Sequence, residues 1–549
     1  MKTNKVKAKV VSNTAGHDLR IAWAQQDIDT GTYSVAIEFP LVSGGRAEVV
    51  VPRSDLLLRQ RIQSMILDKG GRALSDFAQQ LETLTNTLPQ PRHVTGRGGW
   101  HGDQFVTKYG SFCARGKKPD ILFNTQNDEY VGPQQAGSLE EYKRCLKIPL
   151  ERSSYLTFLL AASLVPALAG RIGMEGGFSV NLSQTSSAGK TLALRVVQSA
   201  VSKAEEQDLA SINVTTGKSV ALLVPFGGLA FGFGDLKAAA AKDKDLLDMI
   251  QTFVFSTHGN SQRKTLMTGR PQRANYCVPM LSTERPLAEL FAAAGRIFEN
   301  GEAVRLLDLQ VPDPQQGGIF DNAGKKAPRE LVKDVEDAIA ENYGHLLGRW
   351  VRALAKANIK TIRDIVAREE TEFLSVLKDT SPVLSRIARY FSLVDIAGRY
   401  AAKGGLFPVD AECVREACLK LFHLLARDIL DRERPTLLAA QALLDRLNDS
   451  DRFEMAKRGT SIASDATAFR RQEADGIRLF VRRPELKAAI SDDYLLDRIV
   501  LPNMHRLGAL QPRETQTVMQ KGIKDKHRYY CFNSDILKTI TTTDLLAKI

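Results

Sequence analysis

Residues 184–191, Gln-Thr-Ser-Ser-Ala-Gly-Lys-Thr, restrict the fold of this chain more than any other segment. They follow a short apolar run at residues 176–182 that is typical of a buried strand. A helical pattern of apolar residues from Lys190 to about Ala204 comes next. A strand, a turn of small residues and a helix in this order present backbone N–H groups at a helix N-terminus, where anions bind. The segment therefore predicts a phosphate-binding loop in an α/β sheet.

The end of this segment matches the pattern GxxxxGK[ST], in which a Lys contacts the β- and γ-phosphates and a hydroxyl contacts Mg²⁺. Gln184 replaces the first Gly of the pattern, at a position that often has unusual backbone torsions. A Ser-capped helix that contains Gly-Lys-Thr by chance is the alternative interpretation. The expected binding residues for ATP, with Thr191 also a ligand of Mg²⁺, are Ser186, Ser187, Ala188, Gly189, Lys190 and Thr191.

An acidic residue, Asp235, ends the apolar segment at residues 229–234. ATPases of this type hold Mg²⁺ with a carboxylate at the end of such a strand, and a second acid beside it usually polarises the attacking water. The neighbours of Asp235 are Gly234 and Leu236, so we expect Asp235 to act alone, as metal ligand or as water-activating residue, with slow hydrolysis. Capping of a helix that starts at Leu236 is the alternative role.

A basic segment follows at residues 257–273, which contain no acid. Its four expected contacts to DNA are Arg263, Lys264, Arg270 and Arg273. Gly269 stands between short polar segments and predicts a hairpin turn. Ring ATPases present cations to a nucleic-acid backbone on such a hairpin. A solvated loop is the alternative and explains the same charge equally well.

Arg285 follows the polar end, Ser-Thr-Glu, of a predicted strand that begins at Tyr276. In ring ATPases the nucleotide lies between subunits, and an Arg of the neighbouring subunit stabilises charge on the transferred phosphoryl group. We expect Arg285 to have this catalytic role. The second candidate is Arg305, within a strand predicted from Val304. An internal salt bridge is the alternative for both residues.

Changes in sequence pattern divide the chain into four parts. Residues 1–140 combine alternating, strand-like segments with amphipathic helices predicted at residues 56–66 and 73–84. Residues 141–325 alternate apolar strands with helices, which predicts a parallel sheet covered on both faces. Residues 326–450 have an almost continuous helical period, and residues 451–549 are mixed. The expected fold is a multidomain α/β chain with an N-terminal α+β domain, an α/β ATPase core and a helical domain.

Composition excludes several classes of protein. Among 549 residues, 43% are hydrophobic and 25% are charged, which argues against a mostly disordered chain. The longest apolar run, residues 155–169, is shorter than a membrane span of ~18 residues and predicts a buried helix. Without an N-terminal apolar signal segment or metal-binding cysteine spacing, we expect a reduced, cytoplasmic protein with no membrane partner. The formal charge of +12 favours a polyanionic partner such as nucleic acid.

Several short segments occur in the same order as in a known protein family. They are Gly99-Trp100, the loop at residues 186–191, Asp235, and residues 259–264, 281–284 and 300–308. In this series the chain resembles the "domain of unknown function 927" family of bacterial mobile elements and prophages, which is related to ring-forming AAA+ helicases. The resemblance implies an AAA+-like P-loop core and, in some members, a C-terminal winged-helix domain. Residues 451–549 are compatible with such a domain, with expected helices at residues 497–504 and 515–522 and a closing strand from Arg528. Phosphate contacts are expected from Lys524, Lys526 and Arg528. A solvated edge strand is the alternative for these basic residues.

Together, the residues and the resemblance predict an ATP-dependent DNA helicase or translocase that acts as a homo-oligomeric, hexameric ring in the replication of a mobile element or phage. Single-stranded or forked DNA is the expected partner, and a primase or polymerase partner fits the same role. The alternative is a nucleotide-binding switch or scaffold, or a loading or defence factor. Its ATPase activity would be weak because Gln184 and the single Asp235 depart from the usual motifs.

Overall fold

The computed structural model describes residues 18–546 except 115, 127–129, 175, 210–222, 235–246, 249, 252–274, 297, 299, 378–380, 450–451, 458–465, 475, 512–515 and 518–527. The chain forms two compact units, Met1–Leu425 and Ala426–Ile549. Both combine sheets with helices, so the predicted mixed α/β class is confirmed. The finer division into four domains stays a prediction.

The described residues of the N-terminal part of the first unit form eight strands and two helices. They are β1 Arg20–Asp27, β2 Tyr33–Pro40, β3 Arg46–Pro52, α1 Arg59–Asp68, α2 Phe77–Thr85, β4 Arg92–Thr95, β5 Gly99–His101, β6 Gln104–Thr107, β7 Gly110–Phe112 and β8 Ile121–Phe123. Five strands form a mixed sheet in the order β3-β2-β1-β4-β8. The predicted helix from Leu56 begins three residues later, because Arg53–Leu57 form a 3₁₀ turn.

Strands β5, β6 and β7 form a separate antiparallel meander that carries the Gly-Trp pair. Trp100 Nε1 donates to Ala167 O at 2.8 Å, and Gly98 N donates to Val224 O at 3.1 Å. A Cβ added to Gly98 would lie 2.3 Å from Gly227 O, so only glycine allows this approach. Hydrogen bonds from Gly98 and Trp100 therefore hold the meander against residues that precede strands of the central sheet.

Three helices follow: α3 Leu139–Glu151, α4 Ser154–Ala162 and α5 Val165–Arg171. Residues Ser154–Arg171 are long and apolar enough to cross a membrane by length and composition, but 89% of this window is buried within the protein. This burial confirms the predicted core position. The prediction of one continuous helix is wrong, because the chain turns between α4 and α5, where Pro166 lacks an N–H group.

The central sheet is wholly parallel and has the order β10-β11-β9-β12. Its elements are β9 Ser179–Ser183, α6 Lys190–Ser199, β10 Ala230–Gly232, β11 Val278–Thr283, α7 Leu287–Ala293, α8 Asn300–Ala303 and β12 Leu306–Gln310. Because the strands run parallel, the segments that follow their carboxyl ends lie along one edge. The helix after the loop ends at Ser199 rather than near Ala204.

The rest of the first unit is helical, as its period predicts. The helices are α9 Pro328–Glu341, α10 Leu346–Lys356, α11 Ile359–Val376, α12 Pro382–Lys403 and α13 Ala411–Asn448, of which only the part up to Leu425 belongs to this unit.

Asp395 is fully buried between Arg399 and Arg415, at 3.3 Å from each. Burial raises the pKa of Asp395 to about 6, although both guanidinium groups act to lower it.

The second unit contains a five-stranded sheet in the order β13-β14-β15-β17-β16. Its elements after α13 are β13 Met455–Ala456, β14 Ala468–Glu473, β15 Gly476–Val481, α14 Arg483–Lys487, α15 Asp493–Leu495, a π-helical turn Leu496–Val500, α16 Leu501–Arg506, β16 Gln516–Thr517, β17 Arg528–Asn533, α17 Ser534–Leu537 and α18 Thr542–Leu546. The closing strand from Arg528 is confirmed. The helix predicted over residues 515–522 is wrong at Gln516 and Thr517, which pair with β17.

Candidate functional site

The loop between β9 and α6 has a backbone that few residues tolerate. Gly189, directly before α6, has the left-handed torsions φ 86° and ψ 12°. Ser187 has a φ of 69°, and it is the only non-glycine residue with positive φ in the described part of the chain. Left-handed torsions cost an L-residue roughly 1–2 kcal/mol, so such strain points to a constraint on loop shape.

Gln184 occupies the position of the missing first Gly without needing glycine torsions, since its φ is not positive. Its side chain instead bonds at both ends: Nε2 donates to Val311 O at 2.7 Å, and Oε1 accepts from Thr185 N at 2.8 Å. Its backbone N donates to Thr283 O at 3.2 Å. Gln184 therefore fastens the start of the loop to two neighbouring strands. One loop amide, that of Thr185, is already bonded.

Lys190, the first residue of α6, is bonded to its own loop. Its Nζ donates to Gln184 O at 2.5 Å and to Thr185 O at 2.8 Å. The ammonium group is thus held beside the loop, where it can exchange carbonyl partners for phosphate oxygens. Thr191, the next residue, is exposed and carries the hydroxyl predicted to contact Mg²⁺.

A distant segment supports the loop from the other side. Ile319 N donates to Ala188 O at 3.0 Å, and Ser153 Oγ donates to Ile319 O at 2.6 Å. A Cβ on Gly189 would lie 2.9 Å from Ile319 Cγ1, and one on Gly318 would lie 2.7 Å from Ala188 O. Glycine at both positions therefore permits close contact between the loop and this segment.

A cavity of about 570 Å³ adjoins the loop. Such a volume lies within the ~300–1,000 Å³ typical of small-molecule sites. Residues 186–191 form one wall, and Phe233, Gly234 and residues 282–285 line it from the ends of β10 and β11. Leu192, Leu194 and Leu290 add apolar surface. The cavity thus lies at the carboxyl edge of the parallel strands, where α/β sheets bind ligands.

Among the described residues, two carboxylates line this cavity, those of Glu206 and Glu284. Glu206 begins the 3₁₀ turn Glu206–Asp208 that follows α6. Its neighbour Glu205 is engaged elsewhere, because it pairs with Lys203 at 2.5 Å and accepts from Gln207 Nε2 at 2.6 Å. Sequence reasoning searched for a second acid only beside Asp235 and therefore did not assign these residues.

A buried polar network lies beneath the cavity, across three neighbouring strands. Asn181 of β9 donates through Nδ2 to Thr283 Oγ1 of β11 and to Asp308 Oδ1 of β12, both at 2.8 Å. The exposed fractions of Asn181, Thr283 and Asp308 are 0%, 6% and 4%. Polar residues inside otherwise apolar strands were the available sequence signal for this network.

The structure brings some of the predicted site residues together. Residues 186–191 and Arg285 line the same cavity of one chain, whereas the sequence suggested that Arg285 leaves its own subunit. The position of Arg285 allows action within its own subunit, and the action on a neighbouring subunit expected from the sequence is untested. Arg305 precedes β12, contrary to the predicted strand from Val304, and donates to Gly301 O at 2.9 Å.

The remaining predicted residues are mostly outside the described part of the chain. These are Asp235, Arg263, Lys264, Arg270, Arg273, Lys524 and Lys526. Phe233 and Gly234, directly before Asp235, do line the cavity. Arg528 is exposed at the start of β17, opposite Thr517 of β16. No group of three His, Cys, Asp or Glu side chains that could hold a metal occurs among the described residues.

Residues 2–216 match the family model described as "Domain of unknown function (DUF927)". The resemblance to this family is thereby confirmed over residues 2–216. The matched range contains the Gly-Trp pair, β9, the loop and α6. No curated protein matches the chain.

A solved structure described as "SCCmec type IV Cch - active helicase" has a similar fold. The match has a TM-score of 0.57 at 13% sequence identity and covers 95% of this chain and 94% of the other. At such low identity the likeness establishes a common fold and leaves activity to be argued from the site.

Proposed function

We propose that this chain is an ATP-dependent DNA helicase or translocase that acts as a hexameric ring for a mobile element or phage. The observation that carries the proposal is the loop at residues 184–191, whose left-handed Ser187 and Gly189 shape it beside a cavity of about 570 Å³. The shared fold with a protein described as an active helicase supports the same class. The cytoplasmic location belongs to this proposal.

In this proposal the loop amides and Lys190 bind the β- and γ-phosphates of ATP. Mg²⁺, held by Thr191 and Asp235, would neutralise phosphate charge. Glu206 or Glu284 supplies the carboxylate that orients the attacking water, since no second acid adjoins Asp235. Arg285 contacts the terminal phosphate from the wall of its own cavity.

DNA binding is assigned to the basic residues that the sequence singles out. The central set is Arg263, Lys264, Arg270 and Arg273, and the C-terminal set is Lys524, Lys526 and Arg528 within a winged-helix-like domain. If the central set tracks the phosphate backbone, replacing Arg263 and Lys264 by Ala will flatten the salt dependence of DNA binding. The log–log slope should fall by roughly 0.7–0.9 for each lost contact. An unchanged slope would remove these residues from the DNA site.

The decisive experiment measures ATP turnover by the purified chain alone, with single-stranded DNA, with duplex DNA and with a forked substrate. Stimulation by DNA that Lys190→Ala abolishes, together with strand separation, supports the proposal. Turnover that ignores DNA argues against a helicase. A primase or polymerase partner would be sought by co-purification once this activity is established.

One observation favours a second function, a nucleotide-binding switch or scaffold. The Lys190 ammonium and the Thr185 amide are both bonded within the loop, so binding must replace contacts that already exist. A protein of this kind would bind ATP and change its assembly with little turnover. Nucleotide-dependent oligomerisation without DNA-stimulated hydrolysis would identify it.

A further inference from the structure

The turn between β11 and α7 carries Glu284 and Arg285 to the cavity wall. Side-chain hydrogen bonds hold both halves of this turn. Thr283 Oγ1 donates to Arg285 O at 2.8 Å, and Leu287 N donates to Asp308 Oδ2 at 2.7 Å. Residues inside the sheet therefore hold the backbone of this turn on both sides of Arg285.

Asn181 joins these two anchors. Its amide group donates to Thr283 and to Asp308 at once, so a residue of the strand before the phosphate-binding loop contacts both supports of the turn. Asn181 lies two residues before Ser183, the last residue of β9. A single buried side chain thus links the loop strand to the turn that bears Arg285.

This arrangement carries an energetic cost. Asn181 Oδ1 is buried and accepts no hydrogen bond from the described residues. A buried polar atom without a hydrogen-bond partner destabilises the folded state, whereas the neighbouring Val180 and Leu182 pack in the same strand without that cost. The gain that offsets this cost is the pair of hydrogen bonds that Asn181 donates to Thr283 and Asp308.

We propose that Asn181, Thr283 and Asp308 are positioning residues that set Arg285 for recognition of the terminal phosphate of a nucleoside triphosphate. This inference rests on the proposed function, because it assumes that the cavity binds a nucleotide. The network shapes the Arg285 turn and leaves the loop contacts of Lys190 in place. Its loss should therefore reduce the preference for ATP over ADP while binding of ADP persists.

The test compares dissociation constants for ADP and for a non-hydrolysable ATP analogue, so it needs no turnover. Thr283→Val keeps the shape of the side chain and removes the hydroxyl. It should lower the ATP-over-ADP preference by about threefold to tenfold, the value of one hydrogen bond. Thr283→Ser restores the hydroxyl and should return the preference to within about twofold of the parent.

A matched control separates positioning from loss of stability. Thr157 is fully buried in α4, is not part of the cavity wall, and donates through Oγ1 to Leu150 O at 2.9 Å. Thr157→Val removes a comparable buried hydrogen bond and should leave the nucleotide preference unchanged. Melting temperatures of both Val variants show whether their losses of stability are similar.

The double variant Thr283→Val/Arg285→Ala completes the experiment. If Thr283 acts through Arg285, the double variant will have the same preference as Arg285→Ala alone. Additive losses, or a parent-like preference in Thr283→Val, would overturn the inference while nucleotide binding and the proposed function stand. A parent protein that binds neither nucleotide would overturn the proposed function itself, and this inference with it.

Discussion

Lys190 Nζ donates to Gln184 O at 2.5 Å, a hydrogen bond between the two ends of the phosphate-binding segment. If this ammonium also binds phosphate, Lys190→Ala will weaken ATP binding at least about tenfold, because a charge-assisted contact is worth ~1.5–3 kcal/mol. Titration with a fluorescent ATP analogue measures the loss. Lys203→Ala, which removes a Lys that pairs with Glu205, should bind as the parent does. Equal affinity of Lys190→Ala and Lys203→Ala would refute the loop assignment.

Ser187 allows a test of loop shape that leaves Lys190 in place. With a φ of 69°, its backbone suits glycine and disfavours β-branched residues. Ser187→Gly should bind ATP as the parent does, whereas the β-branched side chain in Ser187→Val should disfavour this torsion further, so that the variant unfolds more easily and binds more weakly. Urea unfolding and nucleotide titration check both effects. Tolerance of Val at this position would mean that the left-handed torsion is not required.

Glu205 and Glu206 form a matched pair for locating the acid that orients water. Glu206 lines the cavity, while Glu205 is engaged with Lys203. We expect Glu206→Gln to lower kcat about a hundredfold with little change in KM for ATP, since general-base contributions are ~10²–10⁴-fold. Glu205→Gln should have parent activity. Loss of activity in Glu284→Gln and not in Glu206→Gln would transfer the role to Glu284.

Mixed oligomers decide whether Arg285 acts on its own nucleotide or on that of a neighbour. Arg285 lines the cavity of its own chain, so a mixture of Arg285→Ala and Lys190→Ala subunits should remain as inactive as either variant alone. Each subunit in such a mixture lacks one residue of its own site. Recovery of ATPase activity in oligomers shown to contain both variants would establish action in trans.

Asp395 predicts a pH dependence of stability. Burial raises its pKa from 3.8 to about 6, so the folded state keeps a proton between these values that the unfolded state has lost. Its contribution to the free energy of unfolding therefore falls as pH rises from about 4 to about 6, by on the order of 2–3 kcal/mol, and is level above. In urea unfolding measured across this pH range, Asp395→Asn should not show the decrease in the free energy of unfolding that the parent shows. The exposed Asp364→Asn should retain it.

Local pattern was sufficient to predict the elements that form the site. The apolar run before the loop, the helix from Lys190 and the strands near Leu229 and Tyr276 appear close to their expected positions. Periodicity failed where a local exception decided the outcome. Pro166 divides one predicted helix into α4 and α5, and pairing with β17 makes a strand of Gln516 and Thr517 despite their helical pattern.

Contacts between distant residues could not be read from local pattern. Ile319 contacts the loop from a segment more than a hundred positions away. Asp308 of β12 accepts a hydrogen bond from Asn181 of the neighbouring strand β9. Such partners depend on strand order, which the sequence restricts to a parallel sheet without specifying neighbours. Glu206 was missed for the same reason, because the fold brings the turn after α6 to the cavity.

The side chain of Gln184 changes what a search for such loops should require. Its hydrogen bonds to Val311 and Thr185 hold the start of the loop without a glycine at this position. The left-handed torsions occur at Ser187 and Gly189 instead. Restoring the standard pattern with Gln184→Gly would release two hydrogen-bonding groups and add chain entropy to the unfolded state. A sequence search that requires glycine at this first position would miss this protein. Gln184→Gly would match the required pattern, yet it should make the loop less stable.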